Sequence, residues 1–118
     1  KLPGVEVIEE RAFFGCRALA DVEFGDKLDT MGASAFCFCP SLRMIKIPKV
    51  RAIGEHAFSE CEQLTAVEIL SEDLQSIGGR AFGNCPHLGR IAVPLKSNLF
   101  AGDVFIGCRS FASEDWLN

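Results

Sequence analysis

One segment recurs along this chain at a nearly fixed interval, and that recurrence limits the fold more than any other feature of the sequence. It reads Ala12-Phe13-x-x-Cys16-x-x-Leu19-x-x-Val22-x-Phe24. It returns as Ala35-Phe36-x-x-Cys39-x-x-Leu42-x-x-Ile45-x-Ile47, then as Ala57-Phe58-x-x-Cys61-x-x-Leu64-x-x-Val67-x-Ile69. It returns again as Ala81-Phe82-x-x-Cys85-x-x-Leu88-x-x-Ile91-x-Val93, and a degraded copy starts Val104-Phe105-x-x-Cys108-x-x-Phe111. Ahead of the Ala-Phe pair lies a second apolar pair: Val5 and Ile8, Leu28 and Met31, Val50 and Ile53, Leu74 and Ile77. The successive Phe residues are 23, 22, 24 and 23 positions apart. All of that variation falls between the last apolar residue of one copy and the first of the next. Repeats behave this way because a loop absorbs insertions while the buried register cannot slip.

Within each copy the stretch Leu-x-x-Val-x-Ile carries a strand. Its last apolar pair alternates with polar residues, and β-branched residues fill Val22, Ile45, Ile47, Val67, Ile69, Ile91 and Val93. Pro48 and Pro94 follow two of these strands, where a missing N–H is tolerated. One short strand per copy leaves no partner for a hairpin. The strands therefore stack in parallel, each copy forming one coil of a solenoid. Phe13, Phe36, Phe58, Phe82 and Phe105 form a structural spine, and burying each ring stabilises the fold by roughly 1.5–3 kcal/mol.

The pattern Ile-Gly-x-x-Ala-Phe-x-x-Cys-x-x-Leu-x-x-Val-x-Ile resembles the BspA-like class of leucine-rich repeats. Residues 53–61 and 77–85 carry the likeness best, and it extends over about residues 5–111. The resemblance implies an α/β-type repeat solenoid: a right-handed superhelix with one short parallel β-strand per repeat. The whole chain, 1–118, is then a single domain with repeats at about 5–27, 28–49, 50–73 and 74–94. The resemblance further implies a surface or secreted protein that binds host or matrix proteins, the only indication of compartment. Two departures stand out. Glu9 replaces the recurring Gly in the first copy. In the fifth, Glu114 stands at the strand's first buried position and Trp116 at the next, and a carboxylate is costly in a dry core. Residues 95–118 are therefore expected to form a cap or truncated repeat whose strand departs from the others.

Composition narrows function by exclusion. With 48% hydrophobic residues the chain has ample core for one domain of 118 residues, and disorder is not expected. A net charge of −4, with Lys27, Arg43, Lys46, Lys49 and Arg51 scattered singly, argues against nucleic acid and against anionic membranes. No apolar run approaches the roughly 20 residues of a membrane span. The chain begins Lys1-Leu2-Pro3 without an initiator Met or signal-peptide pattern, as a mature chain or a piece of a longer one would.

Six cysteines raise the question of disulfides or metal. Cys16, Cys39, Cys61, Cys85 and Cys108 share one repeat position, so their side chains point the same way rather than at each other. They read as a ladder of buried thiols acting as small apolar residues. Cys37 is the odd one, in a variable position, and could be a reactive or intermolecular thiol. Cys37-x-Cys39 lacks the spacing of a zinc site. His56 and His87 fall in different repeat positions, both read as exposed, and build no nucleophile–base pair. Gly32, Gly54 and Gly78 read as turn residues needing an unusual backbone angle rather than as a phosphate cradle. Glu72, Asp73 and Asp103 are too sparse for a calcium loop, and the absence of Tyr beside a single Trp leaves no aromatic platform. No catalytic residue, cofactor or metal ligand is indicated.

The remaining candidate is a surface. Outward strand residues align across copies in two columns: Asp21, Met44, Ala66 and Arg90, then Glu23, Lys46, Glu68 and Ala92. Glu23, Lys46 and Glu68 alternate in sign, so they either neutralise one another or offer a mixed-charge face to a protein, with Arg90 and Met44 as anchors. Four strands span only about 15–20 Å. Two readings follow: a protein-recognition or adhesion module using the strand face, or a structural piece of a larger assembly held through its ends or convex coils. Leu2, Pro3, Trp116 and Leu117 would be the adhesive ends in the second case.

Overall fold

The computed structural model of the chain describes residues 2–94, 102–108 and 116–117. Among the described residues eight strands occur in chain order: β1 (Val7–Ile8), β2 (Thr30–Met31), β3 (Met44–Ile47), β4 (Ala52–Ile53), β5 (Ala66–Ile69), β6 (Ser76–Ile77), β7 (Arg90–Ala92) and β8 (Trp116–Leu117). They form two sheets, ordered β1-β2-β4-β6 and β3-β5-β7-β8, and every pairing is parallel. The chain is thus a solenoid of about four coils at the repeat spacing seen in the sequence.

Two details of the coil differ from the α/β-type, one-strand expectation. The described residues contain no helix, and each coil carries a second strand on the smaller sheet. That strand is two residues long, too short to show an alternating pattern in sequence. In the first coil the larger sheet is reduced to single bridges, Asp21 to Met44 and Leu2 to Phe24.

Between the sheets runs an arc held by a third ladder. The amide N–H groups of Arg11, Phe13 and Gly15 donate to the carbonyls of Ala33, Ala35 and Cys37, at 2.8–2.9 Å. Ser34, Phe36 and Phe38 repeat this to Glu55, Ala57 and Ser59, and His56, Phe58 and Glu60 to Gly79, Ala81 and Gly83. The residues two before and two after Phe13, Phe36, Phe58 and Phe82 have left-handed backbone: φ is 58° at Ser34 and 59° at Phe38, 58° at His56 and 62° at Glu60. Such angles cost a non-glycine residue roughly 1–2 kcal/mol. Here they turn alternate N–H groups toward the next coil, so backbone groups are paired without regular strand geometry.

The recurring glycines are not the left-handed residues; none of Gly32, Gly54 and Gly78 has a positive φ. Their reason is close approach. A Cβ on Gly54 would lie 2.6 Å from the Ala33 amide nitrogen, and one on Gly78 would lie 2.4 Å from that of Glu55. Gly is required where one coil's backbone rests on the preceding one. Among the described residues no earlier arc lies against Glu9, so a side chain fits there.

The core follows the repeat. Phe36, Phe58 and Phe82, Cys39, Cys61 and Cys85, and Leu42, Leu64 and Leu88 are fully buried. The five spine rings stack in succession, with centroids 5.0 Å apart for Phe13–Phe36, 5.3 Å for Phe36–Phe58 and Phe58–Phe82, and 5.6 Å for Phe82–Phe105. Phe24 packs edge-on against Phe36. Among the described residues no buried side-chain nitrogen or oxygen lacks a hydrogen-bond partner.

At the C-terminal side a strand does form. Trp116 is the partner of Ile91 and Leu117 that of Ala92, two residues later than the repeat spacing predicts. This strand extends the sheet in a register displaced from that of the other coils. Phe111 and Glu114 lie outside the described residues.

Candidate interaction surfaces

The larger sheet aligns the two outward columns by register. Met44 pairs with Ala66 and Ala66 with Arg90, while Lys46 pairs with Glu68 and Glu68 with Ala92. The bridge from Asp21 to Met44 carries the first column into the first coil. Asp21, Glu23, Met44, Lys46 and Arg90 are exposed, and Ala66, Glu68 and Ala92 are half-buried. Met44 leaves 43% of its surface in water, high for an apolar side chain on a sheet. Among the described residues no ion pair joins Lys46 to Glu68, although they sit side by side. Arg43 approaches Asp21 at 3.9 Å, both side chains being well exposed, so this pair is worth little.

The thiols occupy the interior. Beyond Cys16, the ladder thiols hydrogen-bond to the spine of the preceding coil: Cys39 Sγ donates to the Phe13 carbonyl at 3.3 Å, Cys61 to Phe36 at 3.3 Å, Cys85 to Phe58 at 3.2 Å and Cys108 to Phe82 at 3.0 Å. Cys39, Cys61 and Cys85 are buried, while Cys16 and Cys108 are half-buried; all six cysteines, Cys37 included, are free. A hydrogen bond from Cys108 would favour the Cys85 thiolate, but the bond to Cys61 and burial outweigh it, and the pKa rises to about 12. The hydrogen bond to Cys85, followed by burial, raises that of Cys108. Burial also pushes up the thiols of Cys39 and Cys37, with the Glu60 carboxylate adding to the effect at Cys37. Since the thiolate is the nucleophile, a buried Cys37 with a raised pKa is poorly placed for reaction.

His56 is half-buried in the left-handed arc rather than exposed, and His87 is exposed; they stand at different repeat positions. Among the described residues no group of three or more His, Cys, Asp or Glu side chains could hold a metal ion. No helix of the described residues is long and apolar enough to cross a membrane.

The sequence reading missed two surfaces. The smaller sheet presents its own outward column of Val7, Thr30, Ala52 and Ser76. The arc presents an aromatic pair, Phe14 and Phe38, in edge-to-face contact at 5.6 Å and respectively 37% and 50% exposed. The guanidinium of Arg11 lies 4.2 Å from the centroid of Phe14. A signal for Phe38 did exist. It takes the repeat position held elsewhere by Gly15, Glu60, Asn84 and Gly107, where a large aromatic is out of place.

Residues 1–112 match the family described as BspA type leucine rich repeat region, in six copies. The fold is similar to a leucine rich cell surface protein from Faecalibacterium prausnitzii A2-165, at 25% sequence identity and a TM-score of 0.50. That likeness covers 91% of this chain and 44% of the other, so the chain spans less than half of that relative's length. No curated protein matches the chain.

Proposed function

The chain belongs to the BspA-type leucine-rich repeat family, and from that premise we propose that it is a non-enzymatic recognition or adhesion module, displayed at a cell surface, that binds a protein through the outer face of its larger sheet. The observation that carries this is the register that sets exposed Met44 and exposed Arg90 in one column on a rigid scaffold. Met and Arg are enriched at protein interfaces, and a parallel sheet fixes their backbone positions in advance, so that only the side chains are ordered at binding. The cell-surface relative supports the compartment. The non-enzymatic reading is supported by interior thiols and isolated histidines.

The test compares the chain with a Lys46→Glu/Arg90→Glu variant, each immobilised and exposed to a mixture of extracellular-matrix proteins, with captured proteins quantified by mass spectrometry. The sheet reading expects a defined protein captured by the parent and lost with the variant. Equal capture by both would remove the sheet face as the site.

A second reading, a structural unit held through its ends, is favoured by one observation. In the first coil Phe13, Cys16, Leu19 and Val22 are only partly buried, so core side chains are accessible there. On that reading the charge-reversed variant behaves as the parent, while Leu19→Glu prevents assembly.

A further inference from the structure

We propose that the arc carries a second, independent docking site, in which Phe38, Pro40, Glu60 and Glu62 take the arginine side chain of an extended partner segment, with an apolar residue beside that arginine resting on Phe14 and Phe38.

The first ground is the cost of Phe38. Its φ is 59°, in the left-handed region, where a bulky residue is uncommon. Gly15 and Gly107 hold the same repeat position at φ of 73° and 79° without that cost. Burial does not offset the strain, because half of the Phe38 surface remains in water. Glu60 and Asn84 adopt the same left-handed φ at this position, so the angle belongs to the repeat; what is particular to Phe38 is a large aromatic side chain left half in water there.

The second ground is the chemistry around the ring. Phe38 lines a notch of ≈ 380 Å³ with Gly15, Arg17, Pro40, Glu60 and Glu62. Within the notch lining two carboxylates face one cation, Arg17, while Arg11 lies outside it, over the neighbouring Phe14 ring. The Glu60 carboxylate is held in place, since Asn84 Nδ2 donates to its Oε2 at 2.9 Å. A planar guanidinium can lie on an aromatic ring and give two N–H groups to a carboxylate at once, which an ammonium cannot. The chain already shows half of this arrangement: Arg11 lies over Phe14, one coil before Phe38. The net charge of −4 further favours approach of a cationic segment.

The third ground is direction. The site crosses successive coils: Phe14 lies in the first, Phe38 and Pro40 in the second, Glu60 and Glu62 in the third, and Asn84 in the fourth. Coils are spaced about 4.8 Å apart, close to the rise of one to two residues of extended chain. A segment lying along the stack therefore meets aromatic surface first and carboxylates next. That order selects an apolar residue adjacent to arginine.

The test is an NMR titration of the ¹⁵N-labelled chain with the peptide acetyl-Gly-Leu-Arg-Gly-Gly-amide and with its citrulline and lysine counterparts. The expected result is shift changes centred on residues 38, 60, 62 and 84. Affinity should fall about tenfold with citrulline, which loses the charge-assisted bonds, and less with lysine. Glu60→Gln/Glu62→Gln should lose binding. Phe38→Gly should also lose binding while its melting temperature equals or exceeds that of the parent. The Lys46→Glu/Arg90→Glu sheet variant should bind the peptide as the parent does, so failure of either site is read separately. The proposal is overturned by no binding at millimolar peptide, by equal binding of arginine and citrulline peptides, or by shifts centred on Met44 and Arg90. A marked fall in the melting temperature of Phe38→Gly would also overturn it, by making Phe38 a structural residue.

Discussion

The first coil and the middle coils have the same sequence pattern and different burial. Phe36, Cys39 and Leu42, like Phe58, Cys61 and Leu64, are fully buried, whereas Phe13, Cys16 and Leu19 at the same repeat positions are only partly so. The larger sheet shows the same contrast. It is a four-residue strand in β3 and β5 and falls to isolated bridges in the first coil. The pattern supplies the side chains, but the neighbouring coil supplies their burial. Stability in such an array is therefore a sum over coil–coil contacts, and a residue's worth depends on how many neighbours its coil has.

The largest expected effect tests that statement on the spine. Phe58 stacks between Phe36 and Phe82, at 5.3 Å from each. Phe58→Ala removes both contacts and leaves a cavity, so it should cost about 3–5 kcal/mol. Among the described residues Phe13 stacks on Phe36 alone, and it is partly exposed. Phe13→Ala should cost roughly half as much, because less surface was buried to begin with. Chemical denaturation of the two variants measures both. Equal losses would mean that the domain unfolds as one unit, indifferent to position in the stack.

The next effect concerns the backbone. Gly54→Ala drives a Cβ into the Ala33 main chain, which belongs to the previous coil and cannot rotate away. The two coils must separate locally, at about 1–3 kcal/mol or more. Glu9 occupies the equivalent position in the first coil, and Glu9→Ala should change stability by less than about 0.5 kcal/mol. A neutral Gly54→Ala would show that the coils are less tightly stacked than their close approach indicates.

These contrasts also explain what could be read from the sequence. The spine, the thiol ladder and the alignment of Met44 with Ala66 and Arg90 all follow from one constant spacing, because parallel coils turn sequence period into spatial register. The smaller sheet was illegible because Ala52–Ile53 is too short to alternate. The role of Gly54 was misread because sequence cannot distinguish a glycine needed for its φ from one needed for its missing Cβ. The left-handed arc was illegible for a related reason: Ser34, His56 and Arg80 are ordinary residues, and only the ladder they donate to forces their angle. Phe38 is hard to single out because its repeat position varies, being Gly15, Glu60, Asn84 and Gly107 in the other copies. Glu60 and Glu62 are unremarkable in sequence, and only the folded arc brings them to the Phe38 ring.

The smallest effect separates the thiols of the middle of the stack from those of an unfolded chain. Cys85 is buried against Cys61 and Cys108, and its pKa stands at about 12, against an unfolded value of about 8.5. A raised folded pKa means that the folded state holds its proton more tightly. The stabilisation is therefore complete below about pH 8.5 and is lost as pH rises toward 12. By pH 9.5 the unfolded chain gains on the order of 1 kcal/mol from ionising this one thiol, while folded Cys85 remains protonated. Denaturation midpoints should hold steady from pH 7 to 8 and then decline, and Cys85→Ala should flatten the decline at the cost of a lower starting stability. A midpoint constant to pH 10 in the parent would mean that the ladder thiols ionise as freely in the folded chain as in the unfolded one, and that the middle of the stack is not the dry interior its burial describes.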